Sequence, residues 1–382
     1  MSEVAKVLFL VSLLAVGYVY IGYPFILAVL SSFFRHQRPE PSYTPFLSIL
    51  IAAYNEEAGI RQKLENTLAL DYPPNRLEII VLSDGSTDRT DEIVESFYDP
   101  RVRLLHVKGR KGKTNAQNEG VRVAGGEIVI FSDATTLYHL QALRYLASNY
   151  ADPRVGAASG RYQYFDPQGQ SPTGVGTVAF WNYENFIKMM QSRIRTISGC
   201  CGCIYSVRRE VYTPLAPDVI SDLVQPLHVI RKGYRVVFED RALAYEETTE
   251  STSEEFSMRV RVVTRGIRGL LSVPELLNPL KARWVAFQLW SHKMLRWLIP
   301  LFLFTILVSN LFLWQRPFYR VFLFGQAVFY AITLLSLLFP IQRLWRPLGI
   351  PLYFCTLNAA AFCSILQVVR GKKYIVWETV RT

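Results

Sequence analysis

The sequence predicts an α/β fold in which a mostly parallel sheet is inserted between transmembrane α-helices. Two short apolar strands end in a serine–aspartate pair, at residues 83–84 and 132–133, and a helical pattern follows each of them. Carboxylates placed in this way meet at the carboxyl edge of a parallel sheet, where open α/β folds bind their ligands. The second observation is four stretches without a charged side chain, residues 7–34, 297–315, 321–342 and 347–369. Each can cross a hydrocarbon layer of about 30 Å as a helix.

The region between the first two apolar stretches alternates between strand and helix patterns. The predicted strands cover residues 46–53, 77–82, 102–106 and 127–132, and the predicted helices cover residues 57–70, 88–97 and 113–124. This alternation predicts a parallel sheet covered by helices. The pattern becomes less regular over residues 160–250, and an arginine-rich helix is predicted at residues 254–272.

These patterns divide the chain into five regions. They are an N-terminal transmembrane helix at residues 1–36, a cytoplasmic domain at 37–253, amphipathic interfacial helices at 254–296, about three transmembrane helices at 297–370, and a tail at 371–382. The interfacial assignment depends on tryptophans and cations that are mixed at helical spacing, which suits a helix in the headgroup layer.

The net charge of +11 is best explained by the membrane. Much of the excess flanks the apolar stretches, at Arg35, Arg38, Lys281 and Arg283 for example. Cations beside a membrane span are attracted to anionic headgroups, and we therefore do not expect nucleic acid as a partner. The same rule places residues 35–296 in the cytoplasm. Three further spans would then put the basic tail outside, which leaves open that one segment is re-entrant or lies in the interface.

Five ordered sequence blocks carry a resemblance to a known family. They are AAYNEE at residues 52–57, SDGSTD at 83–88, GKTNA at 112–116, SDAT at 132–135, and the pair SD at 221–222. With these blocks, residues 46–268 resemble the membrane-bound family 2 glycosyltransferases of the cellulose- and hyaluronan-synthase-like type. The resemblance implies a Rossmann-like GT-A fold, a sugar-nucleotide donor, and Mg²⁺ or Mn²⁺ as cofactor.

The resemblance also assigns donor-binding residues. The nucleotide-binding positions are Ala53, Tyr54, Glu56, Asp84, Lys113, Ser132 and Asp133. Lys113 follows a cationic, glycine-containing loop, which suits a diphosphate. Asp133 is expected to hold the metal ion with water and phosphate, because Thr135 replaces the family's second acid. The alternative for Glu56 and Asp84 is a first-turn or N-cap acid of a helix.

The acceptor side is assigned in the same way. Asp222 matches the family's catalytic acid, and as general base it would take the proton from the acceptor hydroxyl. Trp181 and Glu184 resemble an aromatic–acid patch, and Gly199 and Cys200 resemble the small-residue floor near the acceptor sugar.

One family motif is missing. Processive members carry Gln-x-x-Arg-Trp on an interfacial helix, and the matching window here is RVRVV at residues 259–263. Arg261 or Arg265 remains as a candidate to contact the leaving diphosphate, since arginine suits phosphate contacts. The missing motif argues against long-chain polymerisation.

The sequence therefore predicts an inverting glycosyltransferase of the inner membrane, with a cytoplasmic catalytic domain and a nucleotide-sugar donor, expected to be UDP-linked. The acceptor is a membrane lipid, a lipid-linked glycan or a growing exopolysaccharide. Three alternatives stay open: a processive synthase, a nucleotidyltransferase, and a catalytically silent sugar-nucleotide-binding partner of a synthase. Homo-oligomers and secretion partners are compatible with each of them.

Overall fold

The computed structural model describes residues 2–34, 38–165, 174–247, 251–339, 341 and 345–376. The strands within these residues are β1 Leu47–Ala53, β2 Leu77–Ser83, β3 Val102–His106, β4 Ile128–Asp133, β5 Leu137–Tyr138, β6 Val155–Phe165, β7 Ile204–Arg208 and β8 Arg235–Glu247. They form one sheet in the order β3-β2-β1-β4-β7-β6-β8-β5.

The α-helices lie around this sheet and beyond it. They are α1 Ser2–Gly17, α2 Tyr23–Ser32, α3 Ile60–Leu68, α4 Thr90–Glu95, α5 Lys113–Val123, α6 Ala142–Ser148, α7 Gly174–Ile194, α8 Ser221–Arg231, α9 Thr252–Leu271, α10 Pro279–Gln288, α11 Leu295–Leu313, α12 Pro317–Leu338 and α13 Gly349–Val369. Short π-helical segments, Tyr18–Gly22 and Leu289–Met294, join α1 to α2 and α10 to α11.

The first half of the sheet confirms the predicted parallel arrangement. Strand β1 pairs in parallel with β2 and β4, and β2 pairs in parallel with β3. Every residue of β1 is buried, because helices cover both faces of the sheet. Ala53 lies opposite Ser83, and Ala52 lies opposite Asp133. The ends of these three strands are therefore aligned, and the residues that follow them leave the sheet at one edge.

The second half mixes strand directions. Strand β7 runs antiparallel to both β4 and β6, whereas β6 and β8 pair in parallel along their full length. The 21-residue helix α7 falls within the region that looked irregular in the sequence. Its buried face includes Glu184, Asn185, Lys188, Gln191 and Ser192. A helix that buries polar side chains lacks the apolar stripe by which helices are recognised in a sequence.

Four helical runs among the described residues are long and apolar enough to cross a membrane, judged by length and composition. They are Ser2–Ser32, Pro279–Leu313, Pro317–Leu338 and Arg346–Val369. Exposed phenylalanines such as Phe304, Phe312 and Phe324 cover the outside of α11 and α12, and a lipid environment suits such a surface. The boundary expected at residue 297, between the interfacial helices and the transmembrane helices, lies within the second run. The end of the expected interfacial region is therefore continuous with a candidate span.

Candidate active site

The loop after β1 is held by the loop after β2. The side chain of Asn55, whose φ is 52°, accepts a hydrogen bond from the Thr87 amide at 2.8 Å. The amide of Glu56 donates to Thr90 Oγ1 at 2.7 Å, and the amide of Glu57 donates to Asp88 Oδ2 at 3.0 Å. Glu56 lies before α3, which begins at Ile60. The positions of Tyr54 and Glu56 therefore depend on two neighbouring strand ends.

Asp84 anchors the glycine-containing loop that precedes α5. Its carboxylate is fully buried and accepts the amides of Lys111 at 3.0 Å and Gly112 at 2.8 Å. Burial raises the pKa of Asp84, and the two amide hydrogen bonds only partly oppose it. Asp84 does not cap α4, whose N-cap position is Arg89. Its role in this structure is to hold the loop backbone at the sheet edge.

The same loop brings cationic side chains to the sheet edge. The guanidinium of Arg110 lies 3.9 Å from the centre of the Tyr54 ring, within the range of a cation–π contact. The ammonium of Lys113 contacts the carboxylate of Asp133. Burial by itself would lower the pKa of Lys113, but the carboxylates of Asp133 and Asp222 raise it. Positive charge beside the start of α5 suits an anionic ligand such as a diphosphate.

Two of the predicted nucleotide-binding residues, Ala53 and Ser132, are buried and hydrogen-bond to the backbone of neighbouring residues. Ala53 is buried, and its carbonyl accepts the amide of Asp84 at 3.0 Å. Ser132 is also fully buried, and its hydroxyl donates to the carbonyl of Asp133 at 3.3 Å. Both residues therefore support the ends of β1 and β4.

Asp222 lies in the first turn of α8 and packs against the small-residue segment before β7. Its carbonyl accepts the amide of Cys200 at 2.8 Å. A Cβ atom at Gly202 would lie 2.9 Å from Asp222 Oδ2, so only glycine fits there without a shift. The thiols of Cys200, Cys201 and Cys203 are free and buried. The segment therefore serves as packing around Asp222.

The carboxylate of Asp222 is electrostatically unusual. Its Oδ1 atom is buried and has no hydrogen-bond partner among the described residues. Burial raises the pKa of Asp222, against the opposing effect of Lys113 and Lys188, while the charge of Asp133 raises it further. Lys113 and Asp133 thus act electrostatically on the same carboxylate that α8 presents.

Asp222 lines an open cavity of about 180 Å³ between the sheet domain and the apolar helices. Helix α7 contributes Trp181 to its wall, and the segment before β7 contributes Gly199. Trp297 of α11 and Asn358 of α13 close the other side. The candidate base therefore faces a space that is bordered by potential membrane spans.

Glu184 is the centre of a buried ionic cluster in this cavity. It contacts His292 Nε2 at 3.0 Å, Lys293 Nζ at 3.9 Å, and the guanidinium of Arg296. Burial alone would raise the pKa of Glu184, but the cations around it hold that pKa well below its usual range. The cluster ties α7 to the start of the α11 span. Trp181, on the same helix, packs edge-on against Tyr162 with ring centres 4.9 Å apart.

Arg261 and Arg265 occupy different environments. Arg265 is buried, and its guanidinium donates to Thr114 Oγ1 at 2.7 Å and to the carbonyl of Pro217 at 3.3 Å. Burial lowers its pKa to about 10. Arg265 therefore joins α9 to the start of α5, and its guanidinium is engaged by protein acceptors. Arg261 is half-buried on α9.

Several residues of the site were not identified as functional from the sequence. Trp297 packs its ring against Gly266 of α9, where a Cβ atom would lie 3.2 Å from the ring. Lys188 is buried and donates to Cys201 Sγ at 3.0 Å. Trp297 stood out only as one of the tryptophans near the membrane, because its contact with α9 is formed by residues about thirty positions apart in the chain.

The fold, a family match and similar proteins together identify the chain as a glycosyltransferase with a GT-A fold. Residues 48–215 match the family model described as Glycosyl transferase family 2. The chain therefore contains a glycosyl transferase family 2 domain, as the sequence predicted. The match includes four of the five sequence blocks, and the pair SD at residues 221–222 lies beyond it.

Two curated relatives are similar at 27% identity. A Bacillus subtilis (strain 168) protein named Probable glycosyltransferase YdaM aligns over 72% of this chain and 67% of its own length. The poly-beta-1,6-N-acetyl-D-glucosamine synthase of Staphylococcus aureus (strain COL) aligns over 59% of this chain and 55% of its own length. The chain thus spans about half the length of that synthase.

One solved structure is similar over nearly the entire chain. It is a mannosyltransferase from Pyrobaculum calidifontis in complex with GDP-Man and Mn²⁺, with a TM-score of 0.71 and 21% identity. The similarity covers 96% of this chain and 99% of that one. At this identity the likeness is one of fold, and it includes the helices outside the family domain.

Proposed function

We propose that the protein transfers a sugar from a nucleotide sugar to a membrane-associated acceptor by a single displacement that inverts the anomeric centre. The observation that carries this proposal is the position of Asp222. Its carboxylate is within electrostatic range of Lys113 and Asp133 on the donor side. On the other side it lines the cavity bordered by the apolar helices. A general base between donor and acceptor is what a single displacement requires.

The donor would bind at the sheet edge. Tyr54 and Glu56 would contact the base and ribose, while the loop anchored by Asp84 would place Lys113 beside the diphosphate. A UDP-linked sugar is our expectation. A GDP-linked sugar is the other candidate, because the similar mannosyltransferase was solved with GDP-Man.

The donor side also suits a divalent cation. The carboxylate of Asp133 supplies an oxygen ligand, the kind that Mg²⁺ and Mn²⁺ prefer. An ion held there would neutralise charge on the diphosphate. Among the described residues there is no group of three or more histidine, cysteine, aspartate or glutamate side chains placed to hold a metal. The diphosphate and water would therefore supply much of the coordination.

The chemical step needs few protein groups. The acceptor hydroxyl would give its proton to Asp222 as its oxygen forms a bond to the anomeric carbon. The bond between that carbon and the diphosphate oxygen would break, and the nucleoside diphosphate would leave toward Lys113. Trp181, Gly199 and Cys200 would border the acceptor sugar, and Trp297 would border it from the membrane side.

The cavity favours an acceptor that is attached to a lipid. Its wall includes Trp297, Leu357 and Ala361 from the apolar helices, together with the charged groups around Glu184. Apolar and charged walls together suit a molecule with a hydrocarbon part and a polar headgroup. A limited transfer to such an acceptor is our first candidate, and a growing exopolysaccharide is the second.

The contacts of α13 bear on the membrane topology. Tyr353, near the start of α13, accepts a hydrogen bond from Arg259 of α9 at 2.9 Å. Lys373, after its end, lies 3.5 Å from Asp218 of the catalytic domain. Both ends of α13 thus contact α9 or the catalytic domain, which we place in the cytoplasm, and we propose that α13 lies in the interface of the inner membrane. Three crossings then remain, and the basic tail is cytoplasmic, as the positive-inside rule requires.

This topology is tested by labelling single cysteines with a membrane-impermeant maleimide. Lys372→Cys should react only in inverted vesicles, and Trp314→Cys, in the turn between α11 and α12, only in right-side-out spheroplasts. The unsubstituted chain controls for its own cysteines. Labelling of Lys372→Cys from the outside would mean that α13 crosses the membrane.

The proposed activity is tested with purified protein, a panel of labelled UDP and GDP sugars, and membrane lipid extract. We expect release of a nucleoside diphosphate and a labelled product of defined mass in the lipid phase, identified by mass spectrometry. Release of pyrophosphate would instead identify a nucleotidyltransferase. A product that lengthens with time would identify a processive synthase.

The pH dependence of transfer should report the ionisation of Asp222. A base acts only in its ionised form, so a raised pKa moves the loss of activity to higher pH. We expect kcat to be constant near neutrality and to decline on acidification with a midpoint above roughly 4, the ordinary aspartate value. Measurement of kcat between about pH 4 and pH 8 checks this, with melting curves at each pH to exclude unfolding. A rate that is constant down to pH 4 would contradict it.

A further inference from the structure

Thr135 occupies the position at which the family carries a second acid, and the fold places another carboxylate beside it. The hydroxyl of Thr135 donates to Glu246 Oε1 at 2.9 Å. Glu246 lies near the end of β8, more than one hundred residues later in the chain. Strand pairing fixes this proximity, because Leu137 lies opposite Tyr245 and Tyr138 lies opposite Ala244.

A buried lysine links Glu246 to Asp133. Lys63 of α3 is fully buried, and its ammonium donates to the carbonyl of Thr136 and lies 3.9 Å from the centre of the Tyr138 ring. Burial lowers the pKa of Lys63 to about 7, while the carboxylates of Asp133 and Glu246 oppose that shift. A single buried ammonium therefore lies within electrostatic range of both carboxylates.

We infer that Glu246 supplies the second carboxylate of the divalent-cation site, in place of the acid that is missing at Thr135. The inference rests on the proposed function, since it presumes a donor diphosphate beside Asp133. A carboxylate from each of two strands would give the ion two protein oxygens, and the diphosphate and water would complete a shell typical of Mg²⁺ or Mn²⁺. Lys113, which contacts Asp133, and the protonated form of Lys63 would together balance the two acids when the cation is absent.

The test is the affinity for Mn²⁺, measured by titration with electron paramagnetic resonance on the full-length protein in detergent. The titration is done with Mn²⁺ alone and then with UDP or GDP added. Glu246→Gln should weaken Mn²⁺ binding in the presence of nucleotide by roughly tenfold or more. The matched control is Glu247→Gln, the exposed neighbour on the same strand, which should change the affinity less than about twofold.

Two further variants separate ion binding from a purely structural role. Thr135→Val removes the hydrogen bond but leaves the carboxylate, and it should keep most of the Mn²⁺ affinity. Thr135→Asp combined with Glu246→Gln returns an acid to the family's position, and it should recover most of the lost affinity. If Glu246 only holds the turn in place, Thr135→Val would weaken binding as much as Glu246→Gln does, and the inference would be wrong.

The remaining outcomes are equally decisive. Unchanged Mn²⁺ affinity in Glu246→Gln, together with a loss in Asp133→Asn, would overturn the inference and leave the donor site intact. Unchanged affinity in Asp133→Asn would instead remove the cation site from the proposed function itself. Melting curves of each variant show whether a loss of affinity reflects unfolding. The double variant also separates unfolding from the loss of a ligand, because it keeps the Glu246→Gln change and restores only an acid.

Discussion

Replacing Asp222 by asparagine should reduce sugar transfer by roughly 10²–10⁴-fold, the usual contribution of a positioned general base. Asparagine has nearly the same shape and retains the backbone contact with Cys200, so the fold should be preserved. It cannot accept the proton of the acceptor hydroxyl. The rate is measured as nucleoside diphosphate released per enzyme at saturating donor. The affinity for the sugar nucleotide, measured separately, should change little, because the residues predicted to bind it lie outside α8.

The matched control is Asp218→Asn. Asp218 lies four residues earlier, pairs with Arg268 at 3.4 Å, and does not line the cavity among the described residues. The Asp218→Asn variant should retain most of the transfer activity. Equal activity in Asp222→Asn and in the unsubstituted protein would exclude Asp222 as the base. Unchanged glycan production in cells with that variant would favour a catalytically silent partner of a synthase.

Replacing Glu184 by glutamine should destabilise the protein by roughly 3–5 kcal/mol, the usual cost of breaking a buried ion pair from one side. The Glu184 side chain is only 6% exposed and faces His292, Lys293 and Arg296. Without the carboxylate, the positive charges of Lys293 and Arg296 repel each other in a poorly solvated region. We expect the melting temperature in detergent to fall by about 4–6 °C, since the entropy of unfolding grows with chain length.

Two further variants sharpen this prediction. Glu65→Gln changes the same residue type on the exposed face of α3 and should leave the melting temperature within about 1 °C. Glu184→Gln combined with Arg296→Gln removes one charge of each sign and should melt above the single variant, because the two changes are coupled. Equal melting of the double and single variants would mean that Arg296 is not held by Glu184.

Local patterns in the sequence were sufficient for the first half of the fold. The strands β1, β2 and β4 are short, apolar and buried on both faces, so their composition alone separates them from the helices between them. Because parallel strands present their carboxyl ends at one edge, the predicted proximity of Asp84, Lys113 and Asp133 followed from that assignment.

The second half could not be predicted equally well, and α7 shows why. This helix buries Glu184, Lys188 and Gln191. Those side chains are stable there only because cations, a thiol and a tyrosine hydroxyl from other segments meet them. A sequence pattern carries no information about partners that are a hundred residues away. The same reason explains why Glu246 was not connected with Thr135.

The sequence by itself determined the fold class, the four apolar runs and the family, because strand periodicity, span length and short blocks are properties of neighbouring residues. Only the tertiary structure decided what surrounds them: a cavity beside Asp222, an ionic cluster that joins α7 to α11, and a carboxylate from β8 beside Thr135. These arrangements form when distant segments pack together. Burial and electrostatics then act between groups that the order of the chain keeps apart.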